Sequence, residues 1–196
     1  MTEAEHRRRG AILLEIARAS LDETLREAPG DARRPRDEPW LLEPGATFVT
    51  LRRGEELRGC VGSIEAFRPL GEDVRRNAVA AALRDTRFPP LAPEELDEVE
   101  VEVTLLSPPE PMRFDSEADA LAQLRPGEDG LLLSWGNHRS TFLPQVWESL
   151  PRPEAFLESL KRKAGLAPDF WHRDLRLSRY TAVHWCESEV EVRGAL

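Results

Sequence analysis

The sequence predicts an α+β protein with a largely antiparallel sheet flanked by helices. Three observations carry this. Val101, Val103 and Leu105 alternate with Glu100, Glu102 and Thr104, the period of a strand with one buried and one wet face. Leu14, Ala17, Leu21 and Leu25 recur at helical spacing, with Ile16 beside them. Strand-like and helix-like stretches then follow one another without the regular βαβ alternation of a parallel sheet. At 196 residues the chain is long enough for one domain with a real core, and a single domain over 1–196 is expected.

The first helix is expected from about Ala4 to Arg26, stopped by Ala28-Pro29-Gly30. Asp31 to Pro44 is rich in proline and charge and reads as an exposed, mobile connector over about 29–45. Ala46 to Leu51 is dense in β-formers. Arg52-Arg53-Gly54-Glu55-Glu56 supplies a turn, and Leu57 to Ile64 returns as the second strand of a hairpin. Gly59 and Gly62 weaken that return strand, so they signal a bulge or the close approach of another group. Pro69 opens a helix to about Arg84, whose inner face (Leu70, Val74, Ala78, Ala81) is mostly small. Phe88-Pro89-Pro90-Leu91 is extended and stiffened by proline. Val99 to Leu106 is a strand, Glu117 to Leu124 a short helix, and Gly130–Trp135 and His138–Leu143 two strands around a Gly136-Asn137 turn. Pro153 to Ala164 is a helix with proline in its first turn, Lys161-Arg162-Lys163 in its last and Gly165 after it, which suits both caps and the dipole. Ser178 to Glu187 is β-rich.

Composition narrows the function classes. There are 27 Lys and Arg against 36 Asp and Glu, a net charge of −9. Phosphate contacts need local positive charge, so nucleic-acid binding is not expected, nor a polybasic membrane anchor. Arg7-Arg8-Arg9 and Arg33-Arg34 read as solvated faces. No apolar run approaches the roughly 18 residues of a membrane helix. The polar start Met1-Thr2-Glu3-Ala4-Glu5-His6 lacks the layout of a signal peptide, so a cytoplasmic location is expected, with Cys60 and Cys186 as free thiols. Nothing points to a cofactor: there is no Rossmann glycine pattern and no phosphate-binding loop. His184 and Cys186 share a strand face and could form a two-ligand clip with His138 or Cys60 as a third, but zinc takes three or four ligands at defined geometry and nothing in the spacing demands them, so no metal is expected.

The functional hot spot is placed at Leu57-Arg58-Gly59-Cys60-Val61-Gly62. Residues two apart on a strand share a face, so Arg58 is expected near Cys60, where a guanidinium would favour the thiolate nucleophile. The flanking glycines would leave backbone N–H groups open to a ligand. Against this, a free cysteine is more often a small buried hydrophobe. Asp85 and Arg87 are same-face neighbours if their segment is extended, able to bind a polar or anionic ligand or to form a surface ion pair. Asn77, beside the small-residue stripe, could donate its amide to the same place. The candidate base for Cys60 would be His138 or an acid such as Asp85.

Leu57 to Ser63 (LRGCVGS) resembles the signature of the AMMECR domain family, whose prokaryotic members are called AmmeMemoRadiSam system protein A. Asp85–Leu91 (DTRFPPL), Val101–Pro109 (VEVTLLSPP), Thr141–Trp147 (TFLPQVW) and Phe156–Leu166 (FLESLKRKAGL) match in order, giving collinearity from about residue 11 to residue 186. The turn Ser134-Trp135-Gly136-Asn137-His138 departs from the family's small or acidic residues with paired glycines. The resemblance implies a larger sheet-bearing lobe, a smaller helical lobe and a cleft between them lined by the signature. It also implies a link, by gene association, to Memo-type and radical SAM proteins, and supplies no defined reaction. The positions it carries over are Arg58, Gly59, Cys60, Gly62, Asp85, Arg87 and Phe88. Two functions are therefore expected: first, an enzyme or enzyme component working through Cys60 on a small molecule or modified protein; second, a non-catalytic binding or adaptor module for a partner protein.

Overall fold

The structure, a computed structural model, describes residues 2–26 and 38–194. The helix stop at Ala28-Pro29-Gly30, the Arg33-Arg34 pair and the connector through residue 37 lie outside them. The chain divides into two compact units: Met1–Leu106 with Val183–Leu196, and Ser107–Ala182.

In the larger unit, α1 (Glu3–Leu25) begins on Thr2, whose side chain accepts the Glu5 N–H. A hairpin follows, β1 (Pro44–Arg53) and β2 (Glu56–Gly62), turned at Gly54 with φ 58°. The short β3 (Arg68–Pro69) leads into α2 (Leu70–Leu83), and β4 (Glu100–Leu106) completes the central pairing. The strand order is β2-β1-β4-β9, with β9 (Ala182–Cys186) returning from the end of the chain and β3 pairing to β1. Register sets Leu51 opposite Val101 and Val49 opposite Val103. These four have no exposed surface and meet Leu13, Ala17 and Leu21 of α1 and Val74, Ala78 and Ala81 of α2. The small stripe on α2 is thus a helix-to-sheet packing surface.

The smaller unit carries its own sheet, ordered β5-β8-β6-β7, from β5 (Glu110–Pro111), β6 (Gly130–Trp135), β7 (His138–Phe142) and β8 (Arg176–Tyr180). With α3 (Glu117–Ala122) and α4 (Pro153–Lys163) it is itself α+β. Its core gathers Leu131, Leu133, Phe156, Leu157, Leu160 and Leu177, with Trp147 stacked on Phe156 at 3.9 Å.

Three details differ from expectation. The smaller lobe is not simply helical, because Gly130–Phe142 and Arg176–Tyr180 bury their alternating leucines against α4 rather than joining the first sheet. The β-rich stretch Ser178 to Glu187 is two strands in different sheets. It breaks at Thr181, which exchanges two hydrogen bonds with Ser107, at 3.0 and 2.9 Å. A last helix, α5 (Glu187–Gly194), follows where no periodicity announced one. It is held by tertiary bonds: the Glu187 carboxylate accepts from Arg18 Nε and from the Val101 N–H, each at 2.8 Å. Among the described residues no helix is long and apolar enough to cross a membrane.

Candidate functional site

β2 lies at one end of its sheet, so among the described residues one margin of its backbone is not met by a strand. Leu51 pairs with Gly59 and Arg52 with Leu57, leaving Arg58 as the extra residue of a bulge. The bulge turns Arg58 out of the regular alternation. Its Nε and Nη2 donate to the two carboxylate oxygens of Glu95 at 3.0 and 2.9 Å, and its Nη1 donates to the Pro89 carbonyl at 3.0 Å. Arg58 is thus committed to the proline passage and does not serve the thiol. The Arg58 bonds, helped by the Ala92 N–H, hold the Glu95 carboxyl down at about 2.

Both glycines are explained by close approach. A Cβ on Gly59 would lie 2.2 Å from the Ala81 carbonyl oxygen, where α2 crosses the strand. One on Gly62 would lie 2.2 Å from the Phe48 ring, its cross-strand partner. The space that the sequence offered to a ligand is filled by the protein's own backbone and ring.

Cys60 stands opposite Thr50. Its N–H donates to Asp85 Oδ2 at 2.8 Å, and its carbonyl accepts from Arg87 Nη2 at 3.2 Å. Asp85 in turn accepts from the Arg87 backbone N–H at 3.1 Å, from Nε at 2.9 Å and from Nη2 at 2.6 Å. The pair does for the margin of β2 what a neighbouring strand would do: it accepts one N–H and donates to one C=O of the same residue. The Arg87 guanidinium, with the Cys60 and Arg87 backbone N–H groups, holds the Asp85 carboxyl well below the usual carboxylate range, against the opposing effect of its burial. Arg87 is held more firmly charged, first by Asp85 and further by the Cys60 side chain. Its guanidinium lies 5.5 Å from the Phe88 ring centre. The Cys60 thiol also meets Thr50 Oγ1, at 3.4 Å. The guanidinium that reaches residue 60 is therefore that of Arg87, through the backbone carbonyl, and not that of Arg58.

Cys60, Asp85, Arg87 and Phe88 thus meet at one margin, with Arg58 fastening the adjoining loop. Asn77 stands apart from them. It is buried, and its amide donates to Thr47 O at 2.9 Å and Asp73 Oδ2 at 3.0 Å. Asp73, fully buried, also accepts from the Thr47 N–H, Thr47 Oγ1 and Ser63 Oγ at 2.8, 2.7 and 2.7 Å. Sequence reasoning missed this network, although a carboxylate on the apolar stripe of α2 was a signal: a buried charge needs dedicated partners. Glu95 gave no signal in spacing.

The other candidates lie elsewhere. His138 belongs to the smaller unit, where Nδ1 lies 2.8 Å from the Ala164 carbonyl and so carries the proton. Burial pushes the Cys186 thiol up, and its hydrogen-bonding neighbour is Ser188 Oγ at 3.9 Å. Among the described residues no three His, Cys, Asp or Glu side chains are grouped to hold a metal ion.

The same arrangement of elements is found in other proteins. A protein of Methanothermobacter thermautotrophicus is 41% identical over 180 residues, covering 88% of this chain and 91% of its own. One of Thermofilum pendens is 38% identical over 196 residues, covering 91% and 90%. The crystal structure of the uncharacterised protein PH0010 from Pyrococcus horikoshii superposes with a TM-score of 0.78 at 35% identity, covering 91% of each chain. The AMMECR1 family model matches residues 14–185, taking in the signature strand, the Asp85–Arg87 clamp and both sheets. On relatives that share most of its length as well as its fold, this chain belongs to the AMMECR1 family.

Proposed function

We propose that the chain is a non-catalytic binding module, with the Arg87–Phe88–Cys60 margin of β2 as its recognition surface. The carrying observation is the clamp. Of the partners expected for an enzyme built on Cys60, Asp85 as base and Arg58 as charge partner are both spent on holding structure. A general base works best with a pKa near the working pH, whereas Asp85 is held well below the ordinary carboxylate range and takes up a proton poorly. Arg87 is placed differently. Asp85 occupies its Nε/Nη2 edge, which leaves the Nη1 end of a side chain that is 55% exposed to meet a carboxylate on a partner. Because the Asp85–Arg87 pair is neutral as a whole, recognition there rests on donor geometry rather than long-range attraction.

The partners expected from the gene-association link are Memo-type and radical SAM proteins. The test mixes the full chain with each of the co-encoded proteins and measures association by sedimentation. A complex at micromolar concentration is expected, weakened about tenfold by Arg87→Ala, as loss of one charge-assisted bond implies, and unchanged by Cys60→Ser. The proposal falls if no complex forms with either protein while Cys60 is alkylated by iodoacetamide far faster than an ordinary thiol. One observation favours the enzyme as a second reading: an arginine, Arg87, is hydrogen-bonded to the residue that carries the thiol, at the Cys60 carbonyl.

A further inference from the structure

The clamp completes only part of the β2 margin. Along an antiparallel pair, successive residues turn their N–H and C=O alternately toward the partner strand and away from it. Cys60 turns both away, since its N–H donates to Asp85 and its C=O accepts from Arg87. The register runs without a shift from the Thr50–Cys60 pair to the Phe48–Gly62 pair, so Gly62 turns its N–H and C=O to the same free margin. Ser63 faces the other way, as the alternation requires, and its N–H donates to the Thr47 carbonyl at 2.8 Å. No loop, turn or side chain among the described residues bonds to either backbone group of Gly62, which is partly exposed.

Both ends of this open stretch are defined. On one side it stops at Asp85 and Arg87, which fill the places a neighbouring strand would use at Cys60. On the other, Ser63 bonds to Thr47 while Arg68 pairs with Gly45, two residues away along β1. Residues 64–67 are therefore looped out of the strand line. Phe67, at the end of that loop, is 67% exposed, and the Arg68 guanidinium lies 4.2 Å from its ring centre. An unused backbone donor and acceptor thus lie, along the strand, between a loop that carries an exposed ring and the arginine with a free Nη1 end.

We infer that β2 accepts the last few residues of a partner chain as an added antiparallel strand, whose backbone exchanges hydrogen bonds with Gly62 and whose terminal carboxylate meets Arg87. Main-chain bonds of this kind are how an extended segment joins an open strand edge. The added strand has no place to continue past Gly62, because the N–H and C=O of Cys60 are already held. It must end there, and a chain that ends carries a carboxylate, the group that the Nη1 end of Arg87 suits. An apolar side chain a residue or two earlier would be met by Phe67. The inference rests on the binding-module reading and gives the partner a chemical form.

The test uses the full chain with 15N-labelled glycine and follows the Gly62 N–H by NMR. The probe is the tripeptide acetyl-Leu-Thr-Val with a free carboxylate; the anchoring groups are those of any peptide end, so one sequence serves. Its controls are the C-terminal amide of the same peptide and the same acid with every backbone nitrogen methylated. The free acid should move the Gly62 signal downfield and slow its exchange, with a dissociation constant of about 1 mM or tighter, as ligand efficiency allows for its size. The amide should bind at least about tenfold more weakly, for want of the charge-assisted bond, and the methylated acid about fivefold more weakly. Arg87→Gln should bring the free acid down to the level of the amide while Cys60 N–H stays protected by Asp85. Phe67→Ser, at an exposed position, should weaken the free acid about threefold. The inference is overturned if the amide or the methylated acid binds as well as the free acid, or if Gly62 is unmoved at about ten times the expected constant. A complex with a co-encoded protein that saturating peptide fails to displace would leave the module reading standing and overturn this inference alone. Peptide binding at Gly62 without such a complex would support the site and remove only those partners.

Discussion

Asp85→Asn is the sharpest probe of how the β2 margin is held. The carboxylate takes four hydrogen bonds, from the Cys60 and Arg87 backbone N–H groups and from Arg87 Nε and Nη2. Its side chain is 6% exposed, while that of Arg87 is 55% exposed. The bond from Cys60 to a buried charged acceptor is worth about 1.5–3 kcal/mol. The half-exposed ion pair adds at most about 1 kcal/mol. The expected loss is therefore about 2–4 kcal/mol, or a fall in Tm of about 4–16 °C for a chain of this length. The local signature is more specific than the Tm. Cys60 N–H should exchange with solvent at least about tenfold faster in the variant, because each 1.4 kcal/mol is a factor of ten in opening. The pH dependence has a definite sign. The folded Asp85 carboxyl is held below its unfolded value of about 3.9. Its contribution is thus complete above that value and is lost as pH falls through the depressed folded one. The stability gap between wild type and variant should stay constant from about pH 7 to 5 and shrink below about pH 4. An unchanged exchange rate at Cys60 would refute the clamp, whatever happened to the Tm.

Three further outcomes follow from the same geometry. Gly59→Ala should cost about 1–3 kcal/mol in urea unfolding, because the new methyl meets the Ala81 carbonyl and α2 must shift. Asp73→Ala should cost about 3–5 kcal/mol and be visible as lost soluble expression, since it strips the shared acceptor from Thr47, Ser63 and Asn77 inside the core. Arg58→Gln should cost about 2 kcal/mol and speed proteolysis of the Asp85–Glu95 segment. The Glu95 carboxyl, held at about 2 in the fold, gives a contribution that is full above its unfolded value of about 4.3 and fades as pH falls toward 2. Arg58→Gln should reduce that dependence to the smaller part that the Ala92 N–H maintains.

Elements whose residues repeat with a clean period were legible in the sequence. The Val101–Leu105 alternation became β4, and the small stripe of Leu70, Val74, Ala78 and Ala81 became the buried face of α2. The glycines correctly announced a bulge and a close approach, yet composition could not say what approached. Gly59 meets a helix carbonyl and Gly62 a phenyl ring, both brought from outside the strand. The position of Arg58 was misjudged for a related reason. Two-residue spacing places side chains on one face only while the pleat is regular, and the bulge at Arg58 breaks the pleat. Helix α5 was not legible because it depends on the Glu187 bonds to Arg18 and Val101, contacts between parts of the chain more than eighty residues apart. Asp85 and Arg87 could be named from sequence, but their work on the backbone of Cys60 is a matter of tertiary placement.

That placement separates the residues the fold requires from those it does not. The hydrogen bonds of Asp85 and Arg87 to residue 60 run to its main-chain N–H and C=O, which any side chain other than proline would present in the same way. Arg58, Gly59 and Gly62 are each accounted for by a bond or a packing contact in the same strand. The thiol of Cys60 is not. Its bond with Thr50 Oγ1, at 3.4 Å, uses sulfur, a weak hydrogen-bonding partner. The Nη1 end of Arg87 is likewise surplus to the clamp. The two groups that the architecture does not consume therefore belong to residues of one margin, joined by the Arg87 bond to the Cys60 carbonyl. Cys60→Ser preserves every backbone bond of the clamp and changes only the sulfur. An effect of that substitution on partner binding or on any activity, with stability unchanged, would belong to function alone.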